Sequence, residues 1–120
     1  MSGVILAHEP ESSAAAREFV RKAAADWPVD FDDLVIVVGE LVGNAVLHTR
    51  GESIVVRAYE LPAWYVVEVW DYSPRMPEPR TPDLAWESGR GLVVVAELAG
   101  EWGVRRLPAG GKAVFARWAR

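Results

Sequence analysis

The sequence predicts a two-layer α/β sandwich of the α+β kind, in which helices cover one face of a mostly antiparallel sheet. The first observation is the order of hydrophobic patterns along 120 residues: strand, two helices, two strands, a long loop, one helix and two strands. The second is that consecutive strands are joined by short turns, which favour antiparallel pairing. The third is that each predicted helix has one apolar stripe, which must be buried against another layer.

The composition indicates a single domain over residues 1–120 and argues against several protein classes. Hydrophobic residues make up 51% of the chain, which is typical of a globular protein. The net charge of −4 argues against direct nucleic-acid binding. The chain has no cysteine, which fits a cytoplasmic protein, and we expect neither a secretory signal nor a membrane span.

The first two elements are a short edge strand at residues 4–7 and a helix. Ser12 and Ser13 are candidate N-caps of this helix, which we expect to run to about Trp27, before a proline. Its predicted buried stripe consists of Ala15, Phe19, Val20, Ala23 and Ala24.

The second helix carries the row of polar residues on which the functional interpretation depends. Asp30 is its predicted N-cap, and Gly51 is a candidate for a left-handed residue after its end. Glu40, Asn44 and His48 follow at intervals of four and share one helix face. The apolar stripe on another face consists of Leu34, Val38, Leu41, Val42 and Ala45. This row indicates a site in which Asn44 offers an oxygen to a metal and Glu40 accepts a proton or orients water; an ordinary exposed face is the alternative.

Four more strands complete the predicted sheet, at residues 53–61, 64–70, 102–107 and 112–118. Asp71 follows the second of these strands directly. An aspartate there can accept a hydrogen bond from the exocyclic amino group of adenine, which guanine lacks at that position. The alternative is a turn aspartate at the end of a strand.

Two further segments suggest a nucleotide site. Residues 73–88 contain four prolines and predict a long loop, which is either functional or a surface insertion. Gly89 and Gly91 open a predicted helix over residues 92–99. Glycines let a phosphate approach the backbone, and the helix N-terminus offers unpaired N–H groups, although an ordinary turn would have the same residues.

Together these motifs resemble the GHKL ATPase superfamily of gyrase, histidine kinases, the heat-shock chaperone and the mismatch-repair ATPase. Residues 40–45 (ELVGNA) are similar to its N box. Residues 67–74 (VEVWDYSP) and 89–92 (GRGL) are similar to its two glycine-box regions. More narrowly, the chain resembles the small anti-sigma-factor serine/threonine kinase branch, over almost its whole length.

The resemblance implies the Bergerat nucleotide-binding fold, with ATP and Mg²⁺ as ligands. It implies that Glu40 is the catalytic base, that Asn44 binds Mg²⁺ and that Asp71 recognises adenine. The proline-rich loop at residues 74–88 would be the ATP lid. The residues implied to bind the nucleotide are Asn44, His48, Asp71, Ser73, Arg75, Gly89, Arg90, Gly91 and Leu92.

The predicted function is therefore that of an ATP-binding regulator that phosphorylates an anti-sigma-factor antagonist of the STAS type, with a sigma factor as the regulated target. The alternatives are an ATP-binding interaction module without phosphoryl transfer and a degenerate domain that binds partners without ATP. A homodimer is left open. The chain departs from the family pattern in two places: the glycines expected after Asp71 are absent, and Ala113 stands where the family often has a threonine that would help hold adenine.

Overall fold

The computed structural model describes residues 2–49, 51–72 and 91–120, and within them the predicted elements form. The strands are β1 (Ser2–Ala7), β2 (Ser53–Glu60), β3 (Trp64–Asp71), β4 (Glu101–Arg106) and β5 (Lys112–Ala119). The helices are α1 (Ser12–Ala23), α2 (Phe31–His48) and α3 (Gly91–Leu98). This order and these types agree with the sequence prediction.

The strands form one sheet in the order β1-β2-β3-β5-β4, and every neighbouring pair is antiparallel. The strand β1 lies at one edge, as predicted. Side chains of the three helices and of one sheet face share a single hydrophobic core, so the predicted two-layer sandwich is confirmed. None of the described helices is long and apolar enough to cross a membrane.

The two faces of the sheet differ because successive side chains of a strand point to opposite sides. The inner face, defined here as the one packed on the helices, carries apolar residues of the three central strands. They are Ile54, Val56, Ala58, Val67, Val69, Val114 and Ala116. Asp71 and Lys112 are directly opposite each other in the β3–β5 pair, in the same alternation as these core residues. The opposite side is called the outer face below.

The start and end of α1 differ from the prediction. Its N-cap is Glu11, which makes no side-chain cap hydrogen bond, and the hydroxyl of Ser12 instead donates to the carbonyl oxygen of Ala7 at 2.6 Å. The helix ends at Ala23, short of Trp27. The predicted stripe was one residue out of phase at its start, because Ala16 is buried whereas Ala15 is exposed. A run of alanines does not reveal by itself which member faces the core.

The prediction for α2 is largely confirmed. The backbone N–H of Asp33 donates to Asp30 Oδ1 at 3.0 Å, so Asp30 is the N-cap. All five residues of the predicted apolar stripe are buried. The helix is followed by Thr49 in an extended conformation, and Gly51 has a positive φ of 147°, outside the usual left-handed helical region. The helix packs against α1, α3 and β3, and it is therefore the central helix of its layer.

The turn between β4 and β5 brings two distant parts of the chain together. Gly111 has a φ of +81°, and a Cβ at this position would lie 2.1 Å from the carbonyl oxygen of Asp71. Only glycine allows both this backbone conformation and this close approach. The turn therefore holds the first residue of β5, Lys112, against the last residue of β3.

Candidate nucleotide site

The polar row on α2 lies between the buried stripe and the exposed surface of the helix. Glu40 and Asn44 are both half-buried, whereas Ile36 and Leu47 on the outer ridge of the same helix are 45% and 48% exposed. One helical turn separates Glu40 from Asn44, a rise of about 6 Å. The two polar groups therefore lie beside the core rather than on an ordinary solvated face.

Asn44 has an unusual hydrogen-bonding environment. Its Nδ2 atom is buried and has no hydrogen-bond partner within the part of the chain that the structure describes. Leaving a buried polar group unsatisfied costs about 1–3 kcal/mol, so such groups are usually paired in folded proteins. An amide in this position would be satisfied by a bound ligand with oxygen atoms, and this distinguishes Asn44 from an incidental surface asparagine.

Asp71 is buried at the end of β3 and forms an ion pair. Its side chain is 2% exposed, and its Oδ1 accepts a hydrogen bond from Nζ of Lys112 at 3.0 Å. The lysine side chain is itself only 5% exposed. Burying two charges is costly unless they are paired and hydrogen-bonded, so each of these groups stabilises the other in the folded protein.

The expectation that a hydroxyl at position 113 would help hold adenine beside Asp71 is wrong. Ala113 lies opposite Trp70 in the β3–β5 pair, so its side chain is on the outer face, away from Asp71. A hydroxyl at position 113 would point away from the carboxylate that it was expected to assist. The side chain beside Asp71 is that of Lys112, which the sequence interpretation missed. The signal for Lys112 in the sequence was the alternation of side chains along β5, counted from the turn at Gly111.

At the start of α3, the groups available to a ligand belong to the backbone rather than to side chains. Gly91 is the first residue of the helix, and its neighbour Leu92 is 2% exposed, with its side chain in the core. Leu92 can therefore face a phosphate only through its backbone. Because α3 packs against α2, the helix start and the Glu40–Asn44 row belong to one helix layer.

The other predicted site residues are not placed by the structure. Ser73, Arg75, Gly89, Arg90 and the predicted lid at residues 74–88 lie outside the described residues. His48 is the last residue of α2, but its side chain is not described. Their roles stay predictions. Within the described ranges, no group of three or more His, Cys, Asp or Glu residues is arranged to hold a metal ion.

A second buried carboxylate, also missed by the sequence interpretation, lies on the outer face of β3. Glu68 is 0% exposed, and its Oε1 accepts from Arg57 at 3.1 Å and from Arg105 and Trp70 at 2.8 Å each. Its Oε2 accepts from the hydroxyl of Tyr59 at 2.9 Å. Burial, and then the hydrogen bond to Glu68, raise the pKa of Tyr59 above its ordinary value of 10.0. The signal in the sequence was a glutamate inside an apolar strand.

Comparison with protein families identifies the class of domain that this geometry suggests. The family described as histidine kinase-like ATPase domain matches residues 6–118. The chain therefore belongs to that family, and its membership of the GHKL superfamily is confirmed. A domain of this class implies ATP binding. No curated protein matched the chain.

Proposed function

We propose that this ATP-binding domain is an anti-sigma-factor serine/threonine kinase. It transfers the γ-phosphoryl group of ATP to a hydroxyl of a STAS-type antagonist protein and thereby controls a sigma factor. The observation that carries the proposal is the position of Glu40 and Asn44 one turn apart on α2, together with the buried Nδ2 of Asn44, which lacks a partner among the described residues. The choice of antagonist and sigma factor rests on the similarity of the three sequence motifs to the anti-sigma-factor kinase branch.

In the proposed reaction, the hydroxyl oxygen of the partner attacks the γ-phosphorus of ATP, and the bond between that phosphorus and the β–γ bridging oxygen breaks. The proton of the hydroxyl goes to the Glu40 carboxylate, and ADP leaves. A phosphoryl-transfer enzyme acts mainly by positioning groups and stabilising charge. A carboxylate one turn from a phosphate-facing amide is suited to hold the nucleophile.

The residues also fit a Mg²⁺ ion bound together with ATP. Mg²⁺ prefers oxygen ligands and is usually held by one or two protein groups plus substrate phosphates. The amide of Asn44 can supply one such oxygen while its nitrogen donates to a phosphate. The ion would neutralise the phosphate charge that develops during transfer.

In this proposal, the adenine ring and the phosphates of ATP bind at separate places. Asp71, at the end of β3, accepts a hydrogen bond from the exocyclic amino group of adenine. The first backbone groups of α3, from Gly91 onward, face the phosphates, because a helix N-terminus carries unpaired N–H groups and positive potential.

The role of Glu40 is tested with Glu40→Gln, which keeps size and hydrogen bonding but removes the base. We expect ATP affinity close to the wild type and phosphoryl transfer slower by about 10²–10⁴-fold, the usual contribution of a general base. Transfer from γ-labelled ATP to the candidate antagonist is the measurement, and Glu97→Gln, an exposed change on α3, is the control. Wild-type transfer by Glu40→Gln would remove Glu40 from catalysis.

The role of Asn44 is tested with Asn44→Ala. We expect the affinity for ATP in the presence of Mg²⁺ to fall by at least about tenfold. Mutation of residues that only support a metal ligand already lowers metal affinity by this factor, and Asn44 would be a ligand itself. The affinity measured with a chelator should fall less, because only the hydrogen bond from the amide nitrogen to a phosphate is lost there. Leu47→Ala on the same helix should change neither value. If the wild type binds ATP but phosphorylates no candidate partner, the protein is an ATP-binding interaction module.

A further inference from the structure

We propose that Lys112 is a second base-recognising residue of this domain. Its ammonium group donates a hydrogen bond to a ring nitrogen of adenine while Asp71 accepts one from the neighbouring exocyclic amino group. This inference rests on the proposed placement of adenine at Asp71. It adds a donor that none of the recognised sequence motifs includes.

The geometry places a donor and an acceptor side by side. Lys112 Nζ and Asp71 Oδ1 are 3.0 Å apart, and the two residues are directly opposite each other in the β3–β5 pair. Both side chains have the inner-face register, toward the helix layer that carries Glu40 and Asn44. A planar base that contacts the Asp71 carboxylate from this layer can therefore reach the lysine as well.

The position of Lys112 is fixed by the fold. A lysine usually keeps its ammonium group in water and buries only its methylene stem, but this side chain is 5% exposed. The preceding residue, Gly111, approaches the backbone of Asp71 so closely that a Cβ would lie 2.1 Å from the Asp71 oxygen. The backbone of β5 thus holds the lysine next to the carboxylate, and the pair is preorganised.

The chemistry of the pair matches adenine. The exocyclic amino group of adenine is a hydrogen-bond donor, and it is flanked by two ring nitrogens, N1 and N7, that accept. A carboxylate beside an ammonium presents the complementary order, and hydrogen bonds to charged groups are about twice as strong as neutral ones. Guanine has an oxygen in place of the amino group and a hydrogen on N1, so it reverses the order and is disfavoured.

The test pairs a change in the protein with the replacement of one ring nitrogen of the ligand by C–H. Affinities of ATP, 1-deaza-ATP and 7-deaza-ATP are measured by calorimetry for the wild type and for Lys112→Met. The wild type should bind one of the two deaza analogues about tenfold or more weakly than ATP, as expected for a lost hydrogen bond to a charged group. In Lys112→Met that ratio should fall to about one, because the donor is absent.

Two further variants keep the test decisive. Lys112→Gln retains a neutral donor and should show a ratio between those of the wild type and Lys112→Met, and it replaces Lys112→Met if the latter does not fold. Arg106→Met removes an exposed cation opposite Lys112 on β4 and should keep the wild-type ratio. The affected analogue identifies N1 or N7 as the partner of the lysine.

The proposal is overturned if the wild type binds ATP and both deaza analogues equally, or if Lys112→Met and Lys112→Gln keep the wild-type ratio. A parallel measurement with Asp71→Asn separates this outcome from failure of the proposed base site. If Asp71→Asn weakens ATP binding, only the role of Lys112 is lost. If the wild type does not bind ATP, or Asp71→Asn has no effect, the placement of adenine itself is wrong.

Discussion

Two buried carboxylates on β3, three residues apart and on opposite faces of the sheet, are satisfied in different ways. Glu68 lies in the middle of the strand on the outer face and accepts from two arginines, an indole and a phenol. Asp71 lies at the strand end on the inner face and pairs with the ammonium of Lys112. The two carboxylates are thus equally buried and differ in their position and in the type of their partners.

The partners of Glu68 also contact one another on the outer face. The guanidinium groups of Arg57 and Arg105 lie 4.9 Å and 5.9 Å from the ring centre of Trp70, within the range of cation–π interactions. Planar donors of this kind lose little freedom on binding a carboxylate. The cluster is suited to stabilise the outer face of the sheet, whereas Asp71 lies beside the helix layer that carries the candidate catalytic residues.

The largest expected effect is that of Glu68→Gln on stability. Breaking a buried ion pair by changing one partner typically costs about 3–5 kcal/mol, because the other charges stay buried. We expect a loss near the lower end, since the Arg105 side chain is 43% exposed and water screens its charge. Urea unfolding measures the loss, and ATP affinity should be unchanged.

The control is Glu101→Gln, which breaks the exposed pair with Arg117 on the same face and should cost at most about 1 kcal/mol. A large loss of ATP affinity in folded Glu68→Gln would end the distinction between the two carboxylates.

The second effect concerns the turn that supports the ion pair of Asp71 and Lys112, called the inner pair because it lies on the inner face. Gly111→Ala and Gly110→Ala both place a side chain at a positive φ, but only Gly111→Ala also forces a Cβ against the Asp71 backbone. The expected additional loss in the free energy of unfolding is about 1–3 kcal/mol, the usual cost of overpacking. Gly111→Ala should also weaken ATP binding, because Lys112 and Asp71 must move apart. Equal behaviour of the two variants would show that the close approach does not support the site.

The third effect is the coupling within the inner pair. We expect Asp71→Asn and Lys112→Met each to destabilise the protein, and the double variant to be less destabilised than the sum of the two. The coupling energy should be about 1–2 kcal/mol, within the range for residues in direct contact. Strict additivity in a urea double-mutant cycle would mean that the pair contributes no mutual stabilisation.

The smallest effect is expected for Tyr59→Phe, which removes one donor from Glu68 and should cost about 1 kcal/mol near neutral pH. Because the folded-state pKa of Tyr59 is raised above 10.0, the unfolded chain loses this proton first. The contribution is fully present below about pH 10 and is lost as the pH rises through the folded-state pKa. The stability difference between the wild type and Tyr59→Phe should therefore shrink with rising pH.

Urea unfolding at neutral and alkaline pH measures this change, with Tyr72→Phe, an exposed tyrosine, as the control. A difference that stays constant or grows with pH would contradict the proposed link between Tyr59 and Glu68.

The sequence by itself determined the elements of this protein and much of its predicted site. Hydrophobic periods of 3.6 and 2 residues gave the helices and strands, and Asp30 identified the start of α2, because these signals act between residues a few positions apart. The spacing of Glu40 and Asn44 placed them on one helix, and the position of Asp71 at a strand end was read directly. The predictions of the N-cap and of the buried stripe of α1 were wrong at the start of the helix, because neighbouring serines and alanines left the phase of the helix ambiguous.

Only the tertiary structure decided which side chains meet. Lys112 and Asp71 are 41 positions apart, and Arg105 and Glu68 are 37 apart, so their contacts depend on strand order and register. A register shift by one residue would move each side chain to the other face of the sheet. For this reason the sequence pointed to Ala113, while the β3–β5 pairing places Lys112 beside the carboxylate at the candidate base site.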